Sequence, residues 1–188
     1  MAKAPVRPVM LWEGDDSEQP LMVPWKSCSE SPCPLTLTAP RGVGRNGTRG
    51  IVIHGEGKGV MSVGWSFDRM GVFLPDDVMT MWIRVEGRSG SPAPECIWVA
   101  LHQKMRVSRR VCLKDCDTNF ADGRDHRVVV PISTLYFPGD GFDPQRVDGI
   151  GLNVEPGEAN RNFDIYVDEI KLESLDAASL ETHCWPQL

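Results

Sequence analysis

The sequence predicts an all-β protein, a sandwich of two sheets. Three observations carry this: short runs of alternating or β-branched apolar residues, turn residues between them, and no long helical period. The chain has 188 residues with Gly 18 and Pro 15, a share of turn residues well above the usual ~12%. Apolar residues make up 41% and charged residues 24%, which is enough for a sizeable core and excludes general disorder. At roughly 150 residues per domain the length suits one domain with a short extension. The domain is expected over 1–173, with 174–188 as a C-terminal extension packed on it.

Strands are expected near 8–13, 35–38, 50–54, 60–67, 79–86, 96–103, 106–113, 126–133, 147–154 and 163–172. Each has period-two spacing or β-branched content and is bounded by Gly, Pro, Asp or Asn. EGRSGSPAPE at 86–95 and PGDGFDPQR at 138–146 read as loops, and only SLDAASLETH at 174–183 favours a helix, with Ser174 as its cap. Alternation assigns faces. In MTMWIRVEG, Met81, Ile83 and Val85 point to the core and Trp82 and Arg84 away from it. In ECIWVALHQ, Ile97, Val99 and Leu101 point inward and Trp98 and His102 outward. If the two strands form a hairpin centred near Gly90, Trp82 and Trp98 share one surface, and exposed aromatic area of that size calls for something to cover it. Trp65 suits core or rim equally, and Trp12 and Trp25 flank an acidic loop.

Six cysteines are present, two pairs close in sequence and two isolated. The expected bridges are Cys28–Cys33, Cys112–Cys116 and Cys96–Cys184, because local pairs close small loops and leave the isolated cysteines for each other. Neither close pair has zinc-ligand spacing, and disulfides favour a secreted or extracytoplasmic placement. The start, MAKAPVRPVM, lacks the apolar region of a signal peptide, so that placement expects a leader absent from this sequence. No window approaches the ~20 apolar residues of a membrane span. A net charge of -6 gives no basic excess for nucleic acid. Lys104, Arg106, Arg109 and Arg110 nevertheless form a basic strand; if it borders the aromatic face it would favour an acidic glycan, and otherwise it is a solvated face. DCDTNFADGRD at 115–125 looks like a calcium-binding loop, but Phe120 replaces the glycine such a loop requires at its sixth position, so a fixed turn is the better account.

WSF at 65–67, MWIRVEG at 81–87, HRVVVPISTLYF at 126–137, VDGIGLNV at 147–154 and FDIYVDEIKLE at 163–173 follow one another in a familiar order. In that order they resemble galactose-binding-like jelly rolls, above all the family-11 type of carbohydrate-binding module and the related domain of the complex I assembly factors. The resemblance implies a jelly-roll sandwich that stacks sugar rings on exposed aromatic side chains and bonds hydroxyls with polar ones. On the faces assigned above, the ligand-binding residues it points to are Trp82, Arg84, Trp98, His102, Asn153 and Tyr166, with Glu155 further along its strand. It also implies a structural calcium near the chain ends, for which Glu13, Asp15, Asp16 and Asp168 match in kind. The expected function is that of a noncatalytic module, a monomer or one part of a larger protein, binding a poly- or oligosaccharide. The alternatives are a protein-interaction or assembly domain of the same fold, or a jelly-roll polysaccharide lyase or hydrolase using His102, Tyr166 and Arg84.

Overall fold

The computed structural model describes residues 9–12, 22–29, 31–71, 73–104, 106–137, 139–155 and 161–174. The expected 174–183 helix, the 174–188 extension apart from Ser174, Glu13, Asp15, Asp16 and Cys184 lie outside them. The chain is nearly all β, in two antiparallel sheets. One, the barrier sheet, contains β1 (Val9–Trp12), β3 (Leu35–Thr38), β4 (Ile51–Gly57), β6 (Asp77–Gly87), β10 (His126–Pro131) and β12 (Arg161–Ser174). Its order is β10-β6-β12-β4-β3, with β1 paired to β12. The other, the trough sheet, runs β2-β5-β11-β7-β8 with β9 on β7. Its strands are β2 (Met22–Cys28), β5 (Met61–Gly71), β7 (Ile97–Gln103), β8 (Arg106–Val107), β9 (Val111–Cys112) and β11 (Val147–Val154).

Alternation places the core between the sheets as the sequence predicts. Ile51 and Ile53, Met79 through Val85 at every second position, Ile97, Val99 and Leu101, and Ile150, Leu152 and Val154 are all buried. Trp65, at 2% exposure, is a core residue. In β12 the inward series Phe163, Ile165, Val167 resumes at Ile170 and Leu172, because the register slips between Asp168 and Lys171. Glu169, at φ 47, absorbs the extra residue of this bulge. Without it, Ile170 and Leu172 would face solvent.

Three expectations are corrected here. β6 and β7 form no hairpin: β6 pairs with β10 and β12, β7 with β11, β8 and β9, so the 88–96 connection crosses between sheets. The 106–113 strand is interrupted because Ser108, 7% exposed, takes over the ladder with its side chain. Its Oγ accepts the Leu101 N–H at 2.8 Å and donates to the Arg109 carbonyl at 2.7 Å. Cys28–Cys33 forms as expected, but the second bridge is Cys96–Cys112, not Cys112–Cys116 or Cys96–Cys184. The cause is register: Cys112 lies opposite Trp98, which brings its Cα within 5.6 Å of that of Cys96. Cys116 is also disulfide-bonded.

The 115–125 segment is a turn held from inside. Phe120 is buried at 2% exposure, and His126 bonds Asp117 at 2.6 Å through Nδ1 and Asp122 at 2.8 Å through Nε2. Asp122 is held below the usual carboxylate range by its hydrogen bond to His126 and by the Arg124 N–H.

Candidate functional site

The outer face of the trough sheet is built in rows of directly opposed residues. Ser27, Ser62, Asn153 and Trp98 make one row across β2, β5, β11 and β7; Trp25, Gly64, Gly151 and Ala100 make the next; and Ser66, Gly149 and His102 follow on β5, β11 and β7. The middle of this sheet therefore carries almost no side chains. A floor of Gly64, Gly149, Gly151, Ala100 and small hydroxyls lies between larger residues on the flanking strands. Trp25 and Trp98 stand three strand spacings apart, roughly 14 Å at ~4.8 Å per strand.

Two rings lie down onto the glycines. A methyl group on Gly151 would sit 2.5 Å from His102 Nε2, and one on Gly64 would sit 2.5 Å from Trp25 Cζ2. Only residues without a Cβ admit such an approach. The rings meet edge to face, centroids 5.2 Å apart and planes at 72°, and beside them Ser66, Lys104 and Asp148 close a depression of about 490 Å³. Burial lowers the His102 pKa, against the pull of Asp148, so the imidazole is neutral near pH 7. Its Nε2 is buried and has no hydrogen-bond partner among the described residues. In the neighbouring row, the Ser62 hydroxyl donates to Asn153 Oδ1 at 2.7 Å. Arg110 lies over the Trp98 ring at 5.4 Å and pairs with Glu155 at 2.9 Å.

Trp98, His102 and Asn153 thus come together as expected, with Glu155 at the rim through Arg110. Trp82, Arg84 and Tyr166 do not join them: they lie on β6 and β12, on the far side of the sandwich. This also separates His102 from Tyr166 and Arg84, so those three cannot act as one proton-transfer set. Of the basic strand, Lys104 and Arg110 reach this face; Arg109 lies over Phe137 at 4.0 Å, and Arg106 donates to the Gly141 carbonyl. With Arg110 paired to Glu155 and Asp148 beside Lys104, the charge that would favour an acidic glycan is offset.

No family model and no curated protein matches the sequence. Solved structures do. A family 30 carbohydrate-binding module of a cellulosomal cellulase of Clostridium thermocellum superposes with a TM-score of 0.66 at 15% identity, covering 91% of this chain and 99% of that one. The fold is that of carbohydrate-binding modules. A family 29 carbohydrate-binding module matches with a TM-score of 0.55 at 10% identity, covering 93% of this chain and 95% of that one. A β-1,2-glucanase from Parabacteroides distasonis gives 0.62 at 13% identity, covering 89% of this chain but 25% of that one. The two module matches extend over nearly the whole of both chains, and the glucanase match is to a part of that chain.

The barrier sheet presents a different outer face, one whose aromatic rings are covered. The Arg45 guanidinium lies 3.6 Å over the Trp82 ring and that of Arg84 lies 4.0 Å over Tyr166. Asp164, 6% exposed, bonds His54 Nδ1 at 2.9 Å, accepts from the Tyr166 hydroxyl at 3.3 Å and pairs with Arg88 at 3.4 Å. Burial raises the Tyr166 pKa, helped by its hydrogen bond to Glu86 and the charge of Asp164, so the phenol stays protonated. Asp168 anchors the 39–50 loop over this face, accepting the Arg45 N–H at 2.7 Å and the Glu169 N–H at 2.8 Å. Burial raises its pKa against those bonds.

Sequence reasoning passed over Trp25 and Ser62. Trp25 lies in MVPWKSC, where Val23, Trp25 and Ser27 alternate with Pro24, Lys26 and Cys28. The proline argues against a strand, but β2 is an edge strand, where a missing N–H is tolerated.

Proposed function

We propose that this protein is a noncatalytic carbohydrate-binding module whose ligand is a poly- or oligosaccharide lying across the outer face of the trough sheet. The observation that carries the proposal is the ring surface on this face: Trp25 and His102 lie down over Gly64 and Gly151, and Trp98 stands on the same face beside Asn153. Glycines beneath the rings let Trp25 and His102 lie down onto the sheet, so that with Trp98 they offer stacking surface to the C–H faces of pyranoses, while Asn153 and Ser62 exchange hydrogen bonds with hydroxyls. The near-balance of charge along the trough suits a neutral glycan. The fold of family 30 and 29 modules supports the reading, and the order of the sequence motifs resembles that of the family-11 type of galactose-binding-like jelly roll.

The disulfides support an extracytoplasmic setting. No helix among the described residues is long and apolar enough to cross a membrane. The structural calcium belongs to the same proposal. Asp168 Oδ1 accepts the Glu169 N–H and retains a second lone pair, through which Asp168 would share an ion with Glu13, Asp15 and Asp16. If so, a chelator lowers the melting temperature and Asp168→Ala abolishes that response; a curve indifferent to chelator removes the ion from the proposal.

Electrophoresis through gels containing cellulose derivatives, mixed-linkage and β-1,2-linked glucans, galactans and mannans tests the binding function. At least one polysaccharide should retard the protein, and Trp98→Ala and Trp25→Ala should each abolish the retardation with little change in melting temperature. Silence across the panel would favour the protein-interaction alternative. Retardation that survives both substitutions would move the site off the trough.

A further inference from the structure

The three residues expected at the sugar site but found on the barrier sheet form a cleft of their own. Its walls include Trp82 and Arg84 of β6, Tyr166 of β12, Gly44 and Arg45 of the 39–50 loop, and Asp125. Its volume of about 50 Å³ is a small fraction of the 490 Å³ of the depression beside Trp25 and His102. A cleft of that size offers a ring's edge a seat at its mouth and leaves no room for a chain laid through it.

The charges inside it balance. Arg45 and Arg84 face Asp125 and Asp168, with Arg84 Nη1 3.6 Å from Asp125 Oδ1. An anion would meet two carboxylates and a cation two guanidiniums, whereas a neutral polyol meets donors and acceptors in equal number. The acceptors differ in availability. Asp168 accepts the Arg45 and Glu169 N–H groups at the buried end of the cleft, while the Asp125 side chain is 54% exposed and makes one long ion pair among the described residues. Arg84 is under-used in the same way: its Nε is buried and has no acceptor among the described residues. The two guanidiniums rest on the Trp82 and Tyr166 rings, and planar guanidinium and carboxylate groups so fixed suit vicinal hydroxyls.

We propose that this cleft is a second carbohydrate site, taking a single neutral sugar ring, free or at a chain end, with Arg45 and Arg84 as donors and Asp125 as acceptor. It rests on the proposed function for the class of ligand but shares no residue with the trough. The protein would then hold a chain along one face and a chain end on the other.

The test is a nuclear magnetic resonance titration of protein carrying Trp98→Ala, which silences the trough. The probes are glucose, galactose, mannose and xylose. At least one should shift the Trp82 indole N–H and the Gly44 and Gly50 amides saturably. Arg84→Gln should then weaken that response about tenfold or more, the loss expected for one hydrogen bond to a charged group. Should Arg84→Gln fail to fold, Asp125→Asn, at an exposed position, is expected to weaken the same response. No saturable shift at those three signals with any of the four sugars overturns the second site, as does an affinity unchanged by the substitutions. Failure of the trough reading looks different: polysaccharide retardation untouched by Trp98→Ala, whatever the Trp82 signals do.

Discussion

Gly151→Ala is the sharpest probe of the trough, because it adds one methyl group at the point where His102 meets the sheet. That methyl would lie 2.5 Å from His102 Nε2 and 3.2 Å from Cδ2, inside contact distance for both. Overpacking of this kind costs about 1–3 kcal/mol, while replacing a strand glycine by alanine recovers about 0.5–1 kcal/mol of backbone entropy. The atom struck is the far end of a flexible side chain, so the ring can rotate off the floor and the net loss should lie near 0.5–2 kcal/mol. For a chain of 188 residues that lowers the melting temperature by about 1–8 °C, at ~2–4 °C per kcal/mol. The rotated ring then stands in the trough and loses its edge contact with Trp25, so polysaccharide affinity should fall about tenfold or more, some 1.4 kcal/mol. Thermal unfolding and affinity electrophoresis on the same variant read both effects. Gly55→Ala is the control: its methyl would lie 2.3 Å from Phe163 Cζ in the core, where the ring has no exit. It should destabilise more than Gly151→Ala and leave affinity unchanged in the folded fraction. Wild-type melting and binding in Gly151→Ala would refute the placement of His102 on the floor. Loss of stability with full binding would remove His102 from the ligand's path.

Replacing Cys96 and Cys112 by serine opens a loop of sequence separation 16 and should cost about 3 kcal/mol. Peptide mapping under nonreducing conditions should find Cys96 joined to Cys112, and a Cys112–Cys116 peptide would contradict the register. Burial pulls the His126 pKa down, but the hydrogen bonds and charges of Asp122 and Asp117 outweigh it and hold it above the usual histidine range. The stability it adds is complete below about pH 6.5 and is lost as pH rises through the raised value. The melting temperature should therefore fall across that window and His126→Gln should flatten the fall; an identical pH profile in the variant would refute the clamp. Asp168→Ala leaves the Arg45 and Glu169 N–H groups without their acceptor, a loss of about 1–3 kcal/mol. Hydrogen exchange should show reduced protection at Arg45, and unchanged exchange there would show that the loop is held by other contacts.

Face assignments within a strand were legible, because period-two alternation is a local property. Met81, Ile83 and Val85 against Trp82 and Arg84 followed from it directly. Sheet membership was not legible. Nothing in the residues of EGRSGSPAPE distinguishes a hairpin from a crossing between sheets, so Trp82 and Trp98 were assigned to one platform although each was correctly turned outward. The glycines that define the trough were also in view without being read. Gly149 and Gly151 alternate with Ile150 and Leu152 in VDGIGLNV, which marks a strand whose outer face is bare, but what lies over a bare face depends on strands distant in sequence. The Cys96–Cys112 bridge was missed for the same reason: proximity in sequence was taken for proximity in space.

Both described disulfides sit at one end of the trough sheet. Cys28 ends β2 opposite Met61, Met61 lies opposite Val154, and Val154 lies opposite Ile97, the neighbour of Cys96. One bridge fastens the outermost strand on one flank, and the other fastens the two-residue β9 over the opposite flank. Unpaired strand edges invite pairing between molecules. Here one border is tethered to the following loop, and much of the other is taken by the short β8 and β9, neither of which extends far enough to template a neighbour. Copies of this chain crowded side by side should consequently remain separate particles, and reduction should make them stick to one another before it makes them unfold.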